Sequence, residues 1–247
     1  MMSYNVFAAY YDRLTREVDY QRRAQYFDQI IRQHFQVTDE TILLDLACGT
    51  GNLSVELSAL GYDVIGVDGS PDMLSEAVSK NNGEKQILYL RQDMASLDLY
   101  GTIDVAVCAL DSLNHITDAA KLKKVFEKVS LFTAPGGLFL FDVNTEYKHR
   151  EILGNQTFVY DLDDLYCVWQ NVTNETLTTE ISLDFFVRRG NTYVRESERF
   201  CERAWPQEHL CGLLEQTGYQ LLHIYEGDTF EPIGSTAQRA VFVARKK

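Results

Sequence analysis

A chain of 247 residues with 45% apolar content can bury a full core as one or two compact units, which excludes intrinsic disorder and fibrous structure. Its 36 acidic residues outnumber 23 basic ones, for a formal net charge of −13, so the basic footprint that phosphate backbones require is missing and nucleic acid is not expected as a partner. The longest uncharged apolar stretch near the middle, residues 129–141, is interrupted by Pro135-Gly136-Gly137 and falls short of the roughly 20 residues a spanning helix needs, so no membrane association is expected.

Residues 1–11 lack a basic segment followed by an apolar run, so the expected location is cytoplasmic. Cys48, Cys108, Cys167, Cys201 and Cys211 are odd in number and form no C-x-x-C pair. They read as reduced thiols, with no metal site expected.

The first periodic element is helical: Tyr20, Ala24, Phe27, Ile31 and Phe35 recur at intervals of three and four, placing one face of residues 20–35 on a core. A βα rhythm follows. Strands are expected at 42–46, 64–67, 87–90, 103–110 and 138–143, with helices at about 52–60, 71–80 and 119–132 between them. Ser70-Pro71-Asp72 supplies an N-cap, an N1 proline and an acidic first turn, and Pro135-Gly136-Gly137 separates the last of these helices from the fifth strand.

Strands alternating with helices predict a doubly wound, mostly parallel seven-stranded α/β sheet with helices on both faces. From 155 to 205 the pattern is antiparallel β, most clearly where Leu177, Thr179, Ile181, Leu183, Phe185 and Val187 alternate with mainly polar neighbours. A helix from Pro206 to Gly218 and strands at 219–225 and 239–244 complete the sheet. The link between those two strands is too short for a helical crossover, so the last strand should run antiparallel.

The expected organisation is a helical lid at 1–37, a cofactor-binding α/β core at 38–154, an antiparallel insert at 155–205 and the remainder of the core at 206–247.

Open α/β sheets bind ligands beyond the carboxyl ends of their strands. After the first strand, Asp45-Leu46-Ala47-Cys48-Gly49-Thr50-Gly51-Asn52 puts two glycines at a strand-to-helix turn. The third small position of a dinucleotide fingerprint is Ser54, and the carboxylate of Asp45 suits a cationic ligand better than a pyrophosphate. Asp68, 17 residues past Gly51, stands where an acid can hold both hydroxyls of a ribose, or else cap the following helix. Asp93-Met94 offers a carboxylate and a thioether to an adenine, and Leu110 to Ile116 forms a polar cluster containing Asp111 and His115.

In the insert, Arg195, Arg199 and Arg203 share one strand face. They serve either cross-strand pairing with acids such as Glu180 and Asp184 or recognition of an anionic acceptor.

Together these features resemble the class I S-adenosylmethionine-dependent methyltransferases of small-molecule acceptors. Phe7-Ala8-Ala9-Tyr10-Tyr11-Asp12 is similar to that family's N-terminal tyrosine-aspartate segment, Asp45 to Asn52 to its first motif, and Asp68 to its second acidic position. Ala134-Pro135-Gly136-Gly137 matches its turn before strand five, with Ala134 where lysine is common.

The resemblance implies that S-adenosylmethionine is held by Tyr11, Asp45, Ala47, Gly49, Gly51, Asp68, Gly69, Met73, Asp93, Met94 and Leu110. It implies that the insert is the acceptor cap, and that the N-terminal segment, with Tyr4, Phe7, Tyr10 and Tyr11, closes over the cofactor. Methyl transfer to N or O of a small molecule follows, with Asp111, His115 and Tyr11 as candidate bases and a monomer or homodimer as the expected assembly. The alternatives are an NAD-dependent oxidoreductase, which would want a third glycine, and a non-catalytic S-adenosylmethionine-binding regulatory protein.

Overall fold

The computed structural model describes residues 5–83 and 85–247, with the side chains of residues 5–7 and 9 left undescribed; Tyr4 and the Phe7 side chain therefore lie outside the described residues. Seven strands form the main sheet: β1 (Ile42–Leu46), β2 (Asp63–Asp68), β3 (Leu88–Arg91), β4 (Ile103–Cys108), β5 (Thr133–Asn144), and, after an insert, β10 (Tyr219–Glu226) and β11 (Arg239–Lys246). Their order is β10-β11-β5-β4-β1-β2-β3. β11 is antiparallel to both neighbours, as the short link before it requires, and the other six strands all run in one direction.

Side-chain alternation along the strands builds two cores. Leu43, Val105, Val107, Leu138 and Leu140 face one side, where helix α2 (Tyr20–His34) packs Phe27, Ile30 and Ile31 and helix α3 (Asn52–Ala59) packs Leu53 and Leu57. Leu44, Ala106, Cys108, Phe139 and Phe141 face the other, against Leu122, Val125, Phe126 and Val129 of α5 (Ala119–Phe132) and Leu210, Leu213 and Leu214 of α6 (Gln207–Gln216). Helix α4 (Pro71–Ser79) starts as expected: Ser70 accepts from the Met73 N–H, with Pro71 in the first turn. α2 is therefore a layer of the core. The short helix α1 (Asn5–Leu14) sits elsewhere, against the insert and α4.

Two boundaries differ from expectation. β4 ends at Cys108, because Leu110 and Asp111 take left-handed φ values of 56° and 53° and turn the chain out of the sheet. β5 begins at Thr133, so Pro135-Gly136-Gly137 lies within the strand, where the pairing with β4 shifts between Ile103 and Val105.

The insert is a four-stranded antiparallel sheet of β6 (Thr157–Leu162), β7 (Leu165–Thr173), β8 (Thr178–Arg189) and β9 (Thr192–Arg203). Its buried face carries Leu165, Cys167, Ile181, Leu183, Phe185 and Phe200, covered by Ala8 and Tyr10 of α1 and by Met73 of α4. Register places Glu196, Glu198 and Phe200 opposite Phe185, Leu183 and Ile181, so the inward face of β9 is its acidic one and the arginine face points the other way. There Arg195 pairs with Asp184 at 2.8 Å, and Arg203 stacks on Trp205 and donates to the Thr117 carbonyl. Arg195 and Arg203 thus have local partners.

All five cysteines are unpaired, with Cys48, Cys108 and Cys167 buried. Among the described residues, no helix is long and apolar enough to cross a membrane.

Candidate active site

Two adjoining groups of residues form at the carboxyl ends of β1, β2, β4 and β5. The first surrounds the β1–α3 turn. Ala47, Gly49 and Gly51 have φ values of 61°, 55° and 76°, and this alternation of left-handed residues makes the tight turn out of β1. A side chain built at Gly49 would meet nothing within 4 Å, so bare backbone faces open space there. At Gly51 a Cβ would meet the Tyr89 hydroxyl at 2.5 Å and the Ala77 Cβ at 2.8 Å, so that glycine is needed behind the turn. Gly66, on β2 beneath it, lies against the same Tyr89 ring, 2.5 Å from where its Cβ would stand.

Asp68 Oδ2 accepts the Gly49 N–H at 3.0 Å and Oδ1 accepts the Ser70 N–H at 2.8 Å, tying the ends of β1 and β2 together. The helix cap itself is Ser70. Asp45 is 2% exposed, and Ser54 Oγ donates to it. Burial, with Ser54 opposing and the nearby Asp68 adding to the rise, lifts its carboxyl to about 7. Burial also raises Asp68.

Tyr11, Tyr20, Asp45, Ala47, Gly49, Leu110 and Ser112 line one cleft over this turn. Helix α1 closes it through a clasp: Asp12 accepts from Thr50 Oγ1 at 2.7 Å and from Asn52 Nδ2 at 2.9 Å, and Lys80 joins Asp12 to the Thr50 carbonyl.

Other expected residues lie around this cleft rather than in its lining. Gly69 follows Asp68 in the β2–α4 turn. Met73 is buried beneath α1 and the insert. Asp93 accepts the Ala95 N–H and pairs with Lys121 at 2.8 Å on the surface, while Met94 is half-buried against the core.

S-adenosylmethionine fits the donor set. Among the described residues no arginine or lysine lines the cleft to meet a pyrophosphate, two carboxylates stand beside it for a cation and a diol, and the glycine backbone leaves room for close approach.

The second group lies where the 110–116 segment meets the insert. Asp142, fully buried on β5, accepts the Leu110 and Asp111 N–H groups at 2.9 and 2.7 Å. It also pairs with Arg239 and, at 3.1 Å, with Arg23, which continues to Asp228 at 2.9 Å. Asp142 thus braces the left-handed turn that presents Asp111 and His115.

Burial opposes ionisation of Asp111, but Arg239, Lys148 and His115 together hold its carboxyl well below the usual range. Burial keeps His115 below the usual imidazole value and Tyr11 far above the usual phenol value.

Glu202, from the inward face of β9, completes this group. Oε1 lies 3.6 Å from His115 Nε2 and Oε2 lies 4.0 Å from Nε2 of the fully buried His149. Burial, reinforced by Asp111, pushes Glu202 well above the ordinary carboxyl range, and burial lowers His149 to about 4. Asp111, His115 and Glu202 offer ligand atoms within 4.8 Å of one another, a metal-like spacing absent from the expected site. The sequence reading did not include Glu202, His149, Asp142, Arg239 or Arg23. Only Asp142, an acid inside the apolar run Leu138 to Val143, carried a local signal.

A family model described as a methyltransferase domain matches residues 43–137. The chain is 31% identical over 247 residues to the methyltransferase-family protein YqeM of Bacillus subtilis, covering 99% of this chain and 98% of that one. It is similar to the crystal structure of an S-adenosylmethionine-dependent methyltransferase from Clostridium acetobutylicum, at 33% identity and a TM-score of 0.88 over 98% of both chains. The fold also matches that of the sugar N-methyltransferase KedS8 from Streptoalloteichus, at 20% identity and a TM-score of 0.80 over 98% of this chain and 93% of that one. Similarity of this extent to a methyltransferase along nearly the whole of both chains, with the glycine turn and strand-end carboxylates in place, shows that this chain belongs to the S-adenosylmethionine-dependent methyltransferases of class I.

Proposed function

We propose that this methyltransferase moves its methyl group to a nitrogen or oxygen of a small molecule that sits between the 110–116 segment and the inward face of the insert. The observation that carries this reading is the junction of the two groups: Leu110 lines the cofactor cleft, while the next residue, Asp111, opens the polar group walled by β9. When bound, S-adenosylmethionine supplies an electrophilic methyl on a sulfonium.

In this reading Asp68 holds the ribose hydroxyls, Asp45 faces the cationic methionine end, and Asp93 with Met94 frames the adenine. Gly49, Gly51, Ala47 and Gly69 supply backbone approach, Met73 supports the lid from beneath, and Tyr11 covers the transfer path. Helix α1 excludes water and narrows the approach, which raises the effective concentration of a correctly aimed nucleophile.

Of the three candidate bases, Asp111 is held ionised by Arg239 and Tyr11 is held protonated by burial, which leaves the neutral His115 imidazole able to take a proton. Calorimetry with S-adenosylmethionine, S-adenosylhomocysteine and NADH tests the cofactor half; binding of NADH instead of the first two would overturn it. Transfer of labelled methyl to a small-molecule panel, abolished by Tyr11→Phe with His115→Gln, tests the acceptor half.

A further inference from the structure

Among the described residues, the second group has one carboxylate more than it has cations. Asp142 and Asp111 share Arg239, and Asp228 shares Arg23 with Asp142. Lys148, the remaining cation, donates to Asn144 Oδ1 at 2.9 Å. Glu202 is the fourth carboxylate against these three cations; Asn144 hydrogen-bonds it, and among the described residues the basic groups within 4 Å of it are two imidazoles, at 3.6 and 4.0 Å.

One of those imidazoles ends a chain of hydroxyls. Thr173 Oγ1 lies 2.9 Å from the Gly154 carbonyl and shares a hydrogen bond of 2.8 Å with Thr179 Oγ1. Thr179 Oγ1 in turn shares one of 2.8 Å with His149 Nδ1. His149 Nε2 is fully buried, has no hydrogen-bond partner, and lies 4.0 Å from Glu202 Oε2. Polar atoms of Asp111, His115, His149 and Glu202 stand around this point at separations of 3.6, 4.0 and up to 4.8 Å.

We infer that the acceptor is an amine that enters as its ammonium ion, is received over Glu202 between Asp111 and His115, and leaves a proton on Glu202 before methylation. This rests on methyl transfer at the same site and narrows the acceptor from N or O to N. A tetrahedral nitrogen donating at about 2.9 Å holds two acceptors roughly 4–5 Å apart, a span that the wider spacings in this group, up to 4.8 Å, allow. An ammonium brings three donors and one positive charge, the charge this network lacks; a hydroxyl brings one donor and no charge. A divalent ion would bring one charge too many and set it against Arg239 and Lys148.

The proton balance is simple. One N–H bond of the ammonium breaks and an O–H bond forms on Glu202. The freed nitrogen lone pair forms the new N–CH3 bond, and the electrons of the old C–S bond stay on sulfur.

The test uses the full chain loaded with S-adenosylhomocysteine and labelled at histidine for NMR, titrated with methylammonium chloride against sodium chloride and against ethanol. Methylammonium should shift the His115 and His149 resonances saturably, while sodium and ethanol should not. Glu202→Gln should weaken that response at least tenfold and leave S-adenosylhomocysteine affinity within twofold. A response absent in the parent chain, shared with sodium or ethanol, or undiminished in Glu202→Gln overturns the inference. Should Glu202→Gln fail to fold, the parent titration decides alone. Failure of S-adenosylhomocysteine to bind would instead strike the cofactor assignment. In a panel of amines and same-shape alcohols, methyl transfer confined to the alcohols would also overturn it.

Discussion

Arg239 Nη2 lies 2.7 Å from Asp111 Oδ1, a contact between residues 128 positions apart that joins the last strand of the sheet to the turn after β4. The same guanidinium meets Asp142, so one cation holds two carboxylates, one of them fully buried. Removing it should strand both. Arg239→Met should cost about 3–5 kcal/mol of unfolding free energy, read from urea denaturation, because uncompensated buried charge is among the most expensive defects. Arg239→Lys should recover only part of this, since an ammonium cannot fork between two acceptors. A loss under 1 kcal/mol would show that the pair is not the brace described.

Asp68→Ala removes the acceptor of the Gly49 N–H together with the proposed ribose contacts. Affinity for S-adenosylhomocysteine should fall by about 2–4 kcal/mol, as loss of two charge-assisted hydrogen bonds implies. Calorimetry measures it, and unchanged affinity removes Asp68 from the ribose.

Asp45 gives a pH signature. Burial raises its carboxyl from the ordinary 3.8 to about 7. A raised acid favours the folded state when protonated, so that contribution is complete below about 4 and is lost as pH rises through about 7. A cationic ligand prefers the ionised form, so affinity for S-adenosylmethionine should rise between pH 6 and 8. Asp45→Asn should flatten that rise. A slope that persists in this variant assigns the titration to another group.

Helix α1 should respond to ligand. Its clasp, Asp12 with Thr50, Asn52 and Lys80, is partly exposed, and such pairs contribute roughly 0.2–1 kcal/mol, so the helix opens readily. Amide exchange across residues 5–14 should slow when S-adenosylhomocysteine binds, and Asp12→Ala should release the ligand several-fold faster. Equal exchange with and without ligand would make the helix a fixed part of the wall.

Much of the fold was legible because its determinants are local. The alternation of Leu43 with Leu44 and of Val105 with Ala106, and the cap at Ser70, follow from neighbours in sequence. The first turn was legible for the same reason: Asp45, Gly49 and Asp68 sit at fixed distances from strand ends.

The acceptor side was not. Glu202 lies on a strand whose two faces both carry charge, and only the pairing of Ile181 with Phe200 decides that the glutamate face turns inward. Arg23 sits on an exposed-looking helix in sequence, and its burial depends on Asp142, 119 residues away. Contacts of that separation leave no periodic trace.

Tyr89 has a consequence for which sequences this fold accepts. Its ring fills the place where side chains at Gly66 and Gly51 would go, yet the two glycines are constrained differently. Gly66 has no left-handed backbone, and its main obstacle is the tyrosine, with Cys48 Sγ less close at 3.2 Å, whereas Gly51 also meets the Ala77 Cβ at 2.8 Å and has a φ of 76°. Gly66→Ala alone should therefore be damaging and become tolerable with Tyr89→Leu, while Gly51→Ala should stay damaging in either background. Positions 66 and 89 can drift only as a pair, in an order in which the large residue shrinks first, and this makes the floor of the methyl-donor cleft resistant to single-step change.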